Sequence, residues 1–172
     1  MQLSAVDKPP TYRPTFRRRL VNALISALVR LGAGPNSTYL LTTRGRRSGK
    51  FRSTPVTLVE AEGRRWLVAP YGPVGWVHNA RTNKLATLSR GRHSEAVRLE
   101  EVTDPLEAAR VLKSYVTQVA LVRPFFATPA DAPEDAFVAE VPHHPVFRVV
   151  SPTAEGAVAA DGRAQSAVRR NS

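Results

Sequence analysis

The chain has 172 residues, 42% of them hydrophobic, which suffices for one globular core with a tail to spare and excludes a wholly disordered protein. It contains no cysteine, so disulfides, thiolate metal sites and a cysteine nucleophile are excluded. The formal net charge of +11 is concentrated: residues 8–59 hold eleven Lys and Arg and no acidic residue, a field that attracts an anionic cofactor, nucleic acid or an acidic membrane surface.

Residues 1–15 read as a flexible leader, because Pro9, Pro10 and Pro14 oppose regular structure. They carry no secretory signal, so the default compartment is the cytoplasm. From Phe16 to Leu31, Leu20, Leu24, Ala27, Leu28 and Leu31 recur at helical spacing, and Gly32 with Gly34-Pro35 ends the helix. The run is too short and too interrupted to cross a bilayer. Flanked by Arg17, Arg18, Arg19 and Arg30, this helix of 16–31 either packs on its own domain or makes a peripheral contact with the inner face of the plasma membrane.

Short strands follow. Thr38–Thr43 is β-branched and apolar, and Arg52–Val59 alternates, with Pro55 marking an edge or a bulge. Glu62-Gly63 turns the chain into a partner strand at Arg65–Ala69. Lys84–Ser89 and Glu95–Val102 form a second hairpin around Gly91-Arg92. Asp104 and Pro105 supply an N-cap and a first helical residue for a helix reaching about Val119. Val146–Val150 is a last strand, and residues 151–172 have the composition of a disordered tail. Antiparallel hairpins interrupted by helices place the folded region, 16–150, in the α+β class as a small barrel.

The segment Arg44-Gly45-Arg46-Arg47-Ser48-Gly49-Lys50-Phe51-Arg52 holds five cationic side chains within nine residues, between two strands. Glycines let backbone approach a ligand closely, turn N–H groups form anion-binding concavities, and arginines add bidentate hydrogen bonds to phosphate or carboxylate. Ser48, Ser53 and Thr54 add hydroxyls. The chemistry of this loop is polyanion capture, set against the plainer reading of a solvated hairpin loop. It is neither a Walker loop nor a dinucleotide fingerprint, since the Gly-Lys-Ser/Thr ending and the G-x-G-x-x-G spacing are missing.

The stretch Leu40–Gly49 followed by Arg52-Ser53-Thr54-Pro55 resembles the signature of the actinobacterial deazaflavin (F420)-dependent nitroreductase family. A second block is similar too: Trp66-Leu67-Val68-Ala69-Pro70, a short glycine-bearing loop, then Trp76-Val77-His78-Asn79. The resemblance spans roughly residues 17–150. It implies a split β-barrel, related to the FMN-binding split barrels, that binds coenzyme F420 and passes a hydride from its reduced form to an organic acceptor. It places the coenzyme's phosphate and oligoglutamate tail on Arg46, Arg47 and Arg52 with Lys50 close by, beside Ser48 and Gly49. Thr54 and Pro55 would line the ring, Ala69, Pro70 and Tyr71 would cover it, and Trp76 to Asn79 would begin a short helix behind it. Related barrels are commonly homodimers.

Because hydride chemistry belongs to the cofactor, the protein needs no nucleophile and no metal. His143-His144 are adjacent, and in extended chain they would point opposite ways, which argues against a metal site. In nitro-reducing members the segment after the second main helix is rich in tyrosine. Here it reads Leu121-Val122-Arg123-Pro124-Phe125-Phe126, so Phe125 and Phe126 can stack on a flat substrate but cannot donate a hydrogen bond. That favours quinones or other flat apolar acceptors over nitro compounds, and leaves Tyr71 and Tyr115 as candidate donors. Trp66 and Tyr115 read as core. Two alternatives remain beside this one. The same barrel can hold FMN or haem, or bind its cofactor without turnover. A basic nucleic-acid-binding module is disfavoured, because only Phe51 is interleaved with the cations and no helix-turn-helix or zinc pattern occurs.

Overall fold

In the computed structural model residues 36–152 are described; the leader at 1–15, the helix at 16–31 with its membrane contact, and the tail beyond 152 lie outside them. Six strands, β1 (Thr38–Arg44), β2 (Phe51–Ala61), β3 (Arg64–Val68), β4 (Leu85–Arg90), β5 (His93–Glu101) and β6 (Val146–Val150), close in the order β1-β2-β3-β6-β5-β4. Every pairing is antiparallel. Two helices interrupt the hairpins, α1 (Gly75–Thr82) and α2 (Pro105–Gln118).

Period-2 alternation sorts the strand residues into two cores. Leu41, Val56, Leu58, Leu67, Ala86, Leu88, Val97, Leu99, Phe147 and Val149 face the barrel interior, where Trp76, Val77 and Ala80 of α1 join them. Their neighbours Val59, Trp66, Val68 and Val146 face outward and are covered by α2 through Ala108, Ala109, Val111, Leu112, Tyr115 and Val116. The α2 set recurs at three- and four-residue spacing, so one stripe of the helix buries itself on the barrel wall. Asp104 caps α2 by accepting the Leu106 N–H at 3.0 Å, as the sequence predicts. Trp66 is fully buried in this outer core, and its indole N–H donates to the Ala61 carbonyl at 3.1 Å.

Two 3-10 turns that the sequence reading did not anticipate, Ala120–Phe125 and Glu134–Glu140, complete the outer layer. They hold no helical apolar repeat; the ammonium of Lys113 on α2 pins the chain between them by donating to the Ala130 and Ala132 carbonyls, at 2.6 and 2.5 Å.

The barrel is paired unevenly. β1 runs beside β2 from Phe51 to Thr57, whereas β3 joins β2 only from Leu58 onward. At Pro55, therefore, β2 has a strand on one side only among the described residues, where a missing N–H costs nothing. The expected edge position is thus a local edge within a closed sheet.

Candidate functional site

The cationic segment forms the connection between β1 and β2. Its base is closed by the Gly45 N–H donating to the Lys50 carbonyl at 2.8 Å, and a single turn is closed by the Gly49 N–H donating to the Gly45 carbonyl at 2.8 Å. Gly49 has φ of +68°, a left-handed conformation that glycine adopts without strain. Gly45 is required for space: a Cβ there would stand 3.0 Å from the Lys50 carbonyl oxygen and 3.1 Å from Ser48 Oγ. The guanidiniums of Arg44 and Arg52 lie close to Gly49 and Gly45, at 3.7 and 3.9 Å from the positions their Cβ atoms would take.

Arg44, Arg46, Arg47, Lys50 and Arg52 are all exposed, and none forms an ion pair with a carboxylate among the described residues. The carboxylates are spent elsewhere, on Arg65 by Glu95, on Arg81 by Glu101 and on Arg148 by Glu107. The backbone N–H groups of Arg47 and Ser48 likewise have no partner among the described residues. Five uncompensated cations and two adjacent free donors make a site for a multiply charged anion.

Helix α1 ties this loop to the segment after β3. Asn79 is 5% exposed; its Oδ1 accepts the Arg46 N–H at 3.1 Å and its Nδ2 donates to Thr43 Oγ1 at 3.1 Å. A bidentate pair from Arg81 to Glu101, at 2.8 and 2.6 Å, fixes the same helix to β5. Gly75, where the 69–75 segment enters α1, stands four residues from Asn79, or about 6 Å along the helix axis.

The 69–75 segment carries the aromatic part of the site. Tyr71 is 42% exposed, and its ring meets that of Phe125 edge-on, with centroids 4.6 Å apart. Phe126 does not share that surface. Just after the 3-10 turn it is buried where Phe125 is exposed, stacks on His144 at 4.0 Å and packs near Tyr115 in the outer core. Two other expected site residues also face inward: Ala69 is fully buried in the barrel interior, and Trp76 packs there against Phe147 at 5.3 Å. Tyr115 is buried, which pushes its phenol well above the ordinary tyrosine range and leaves it a core residue.

The two adjacent histidines lie in a turn rather than in extended chain, both their N–H groups donating to the Glu140 carbonyl. His143 is exposed, and His144 is buried against Glu140, Nε2 to Oε2 3.2 Å. The other carboxylate oxygen of Glu140 accepts the Thr128 N–H at 2.6 Å. Burial lowers the His144 pKa below the ordinary imidazole value, against opposing pulls from Glu140 and the Ala69 backbone. Among the described residues no group of three or more His, Cys, Asp or Glu is placed to hold a metal ion.

A closed six-stranded antiparallel barrel interrupted by helices is the architecture of the split-barrel class. The pattern of the F420H(2)-dependent quinone reductase family matches residues 17–123, and the chain belongs to that family. It is accordingly an F420H2-dependent oxidoreductase, with reduced coenzyme F420 as its cofactor. The unpaired cations of the β1–β2 loop are of a kind that fits an acidic coenzyme carrying phosphate and glutamates.

Solved structures are similar to this chain at low identity. One described as a domain-swapped dimer is 20% identical over 78% of this chain and 96% of its own, with a TM-score of 0.50. Another, described as an F420-H2 dependent reductase (FDR-A), is 24% identical over 66% of this chain and 94% of its own, with a TM-score of 0.45. A conserved hypothetical protein from Mycobacterium tuberculosis is 19% identical over 76% and 80%, with a TM-score of 0.49. No curated protein matches the chain. Among the described residues no helix is long and apolar enough to cross a membrane.

Proposed function

We propose that Arg46, Arg47, Lys50 and Arg52 hold the phosphate and oligoglutamate arm of F420, together with the backbone at Ser48 and Gly49. Thr54 and Pro55 then lie against the ring, and the segment from Pro70 to Gly75 covers it. A flat apolar acceptor, a quinone before a nitroaromatic, enters past Tyr71 and Phe125. The observation that carries this reading is the absence of any carboxylate partner, among the described residues, for the five loop cations. Bound F420H2 supplies a hydride to the acceptor. The chain's part is placement: the reacting atoms must be held about 3–3.5 Å apart and water kept from them. Tyr71 offers a phenol as hydrogen-bond donor to an acceptor oxygen, and Phe125 offers an edge but no donor.

Titration with oxidised F420, followed by its fluorescence, with FMN in parallel and salt varied, tests this. Tight F420 binding that weakens with salt, with weak FMN binding, is the expected outcome. Preference for FMN, or F420 binding indifferent to salt, would refute it. In this reading the working unit is a homodimer, in line with the similar structure described as a domain-swapped dimer. Sedimentation equilibrium showing a monomer would remove that part alone.

A further inference from the structure

The buried amide of Asn79 has no place in hydride chemistry, yet both its ends are committed. None of the five loop cations is buried; the loop's polar contact with α1, among the described residues, is the part-buried bond from the Arg46 N–H to this side chain. The orientation of the amide is fixed by its partners. A backbone N–H only donates, so the group facing Arg46 must be Oδ1, and Nδ2 therefore faces the Thr43 hydroxyl. Thr43 is 1% exposed and sits just before the loop on β1; Arg46 lies inside the loop's single turn. One side chain from α1 thus grips the loop at its root and within its turn, 36 and 33 residues away along the chain.

We infer that Asn79 is a positioning residue for the anion site: it acts through the Arg46 amide, fixing the turn that aims Arg46, Arg47 and the neighbouring free N–H groups, and does not itself touch the coenzyme. This rests on the loop being the site of the coenzyme's acidic arm. Without the clamp, the turn is held by the two glycine-to-carbonyl bonds within it and by the Lys50 N–H donating to Ser48 Oγ at 3.4 Å, and the cations above it spread over more conformations. A ligand that needs several of them at once then meets an ordering cost before it binds. The ring and the acceptor lie against other residues, so the hydride step is untouched once the coenzyme is seated.

The test uses the full chain with Asn79→Leu, which keeps the branched outline of the side chain and removes both polar ends. In the free protein, the Arg46 amide should lose its protection from hydrogen exchange while the amides of β5 and β6 keep theirs. Titrated with oxidised F420, the variant should show a Kd raised about tenfold or more, and in turnover with menadione the coenzyme KM should rise while kcat stays within about twofold. Asn79→Asp keeps an acceptor for the Arg46 N–H, and the Thr43 hydroxyl can turn to donate to it, so Arg46 protection should return in the free protein. An unprotected Arg46 amide with an unchanged Kd would overturn the inference. So would a fall in kcat with an unchanged KM, which marks direct contact with the reacting groups. Should Asn79→Leu fail to fold, Thr43→Val removes only the Nδ2 partner; Arg46 protection and coenzyme affinity must then fall together, and a fall in one alone overturns the inference. Failure of the wild type to bind F420 would instead refute the assignment of the loop, and the Arg46 exchange rates would still decide the role of Asn79.

Discussion

Replacing Gly45 by alanine probes whether the cationic loop works as a fixed shape. The new Cβ would meet the Lys50 carbonyl oxygen at 3.0 Å and Ser48 Oγ at 3.1 Å, where ordinary contact begins at 3.4 Å. The Ser48 hydroxyl can rotate away. The carbonyl is backbone and must retreat by roughly 0.4 Å. That retreat stretches the 2.8 Å bond from the Gly45 N–H to the same carbonyl, which closes the base of the loop. Loss of most of that bond costs about 0.5–1.5 kcal/mol, and the crowding adds about 1 kcal/mol. Against this, alanine restricts the unfolded chain and returns about 0.4–1 kcal/mol. The net is about 1 kcal/mol, a fall in Tm of about 2–4 °C for a chain of this size, and a Kd for F420 raised about tenfold as the turn shifts. The control is Gly63→Ala in the β2–β3 hairpin, where φ is also positive, +68°, but no atom lies within 4 Å. It should cost about 1 kcal/mol in strain and leave F420 binding alone. Thermal unfolding and fluorescence titration read both quantities. If Gly45→Ala binds F420 within twofold of the wild type, the tight closure at Gly45 is not what shapes the site.

Replacing Arg46, Arg47 and Arg52 together by alanine should raise the F420 Kd about 100-fold or more at low salt and flatten its dependence on salt; an unchanged slope would place the acidic arm elsewhere. Phe125→Ala removes the edge contact with Tyr71, worth about 0.5–1.5 kcal/mol. It should lower kcat/KM for an apolar quinone about two- to tenfold at an unchanged coenzyme Kd, and a change in Kd alone would contradict the placing of the acceptor. His144 has its pKa lowered from 6.5 by burial, so the unfolded chain takes up the proton first as pH falls. Its contribution is therefore whole above about pH 6.5 and is lost as pH drops toward the folded pKa, with a slope of at most about 1.4 kcal/mol per pH unit. Denaturant unfolding from pH 8 to 5 should show that slope, and His144→Gln should reduce it.

The strands were legible because each has one face inside the barrel and the other under α2 or in water, which writes a period of two into the sequence. Helix α2 was legible from Asp104 and Pro105, whose cap geometry is local. The barrel itself was read from the succession of hairpins, but the β1–β4 and β3–β6 pairings that close it were not, because they join residues far apart in the chain and leave no mark at either end. The 3-10 turns escaped for a related reason: Val122 and Phe137 are buried singly, without a repeat. Within the site, the density of arginine and glycine announced an anion loop. The role of Gly45 as a matter of space, the clamp from Asn79 and the meeting of Tyr71 with Phe125 are tertiary contacts that residue type alone does not disclose. Phe125 and Phe126 look alike in sequence, and only the turn that separates them sends one to the rim and the other to the core.

The most direct measurement compares F420 with the bare deazaflavin that carries the same ring and ribityl chain but lacks the phosphate and glutamates, each titrated into the wild-type protein at low and high salt. The arginine loop as the seat of the acidic arm predicts binding of the truncated compound at least about 100-fold weaker and nearly insensitive to salt, while F420 binds tightly and loses affinity as salt rises. Equal affinity for the two compounds at low salt would show that the ring alone is held and that the loop cations serve something else.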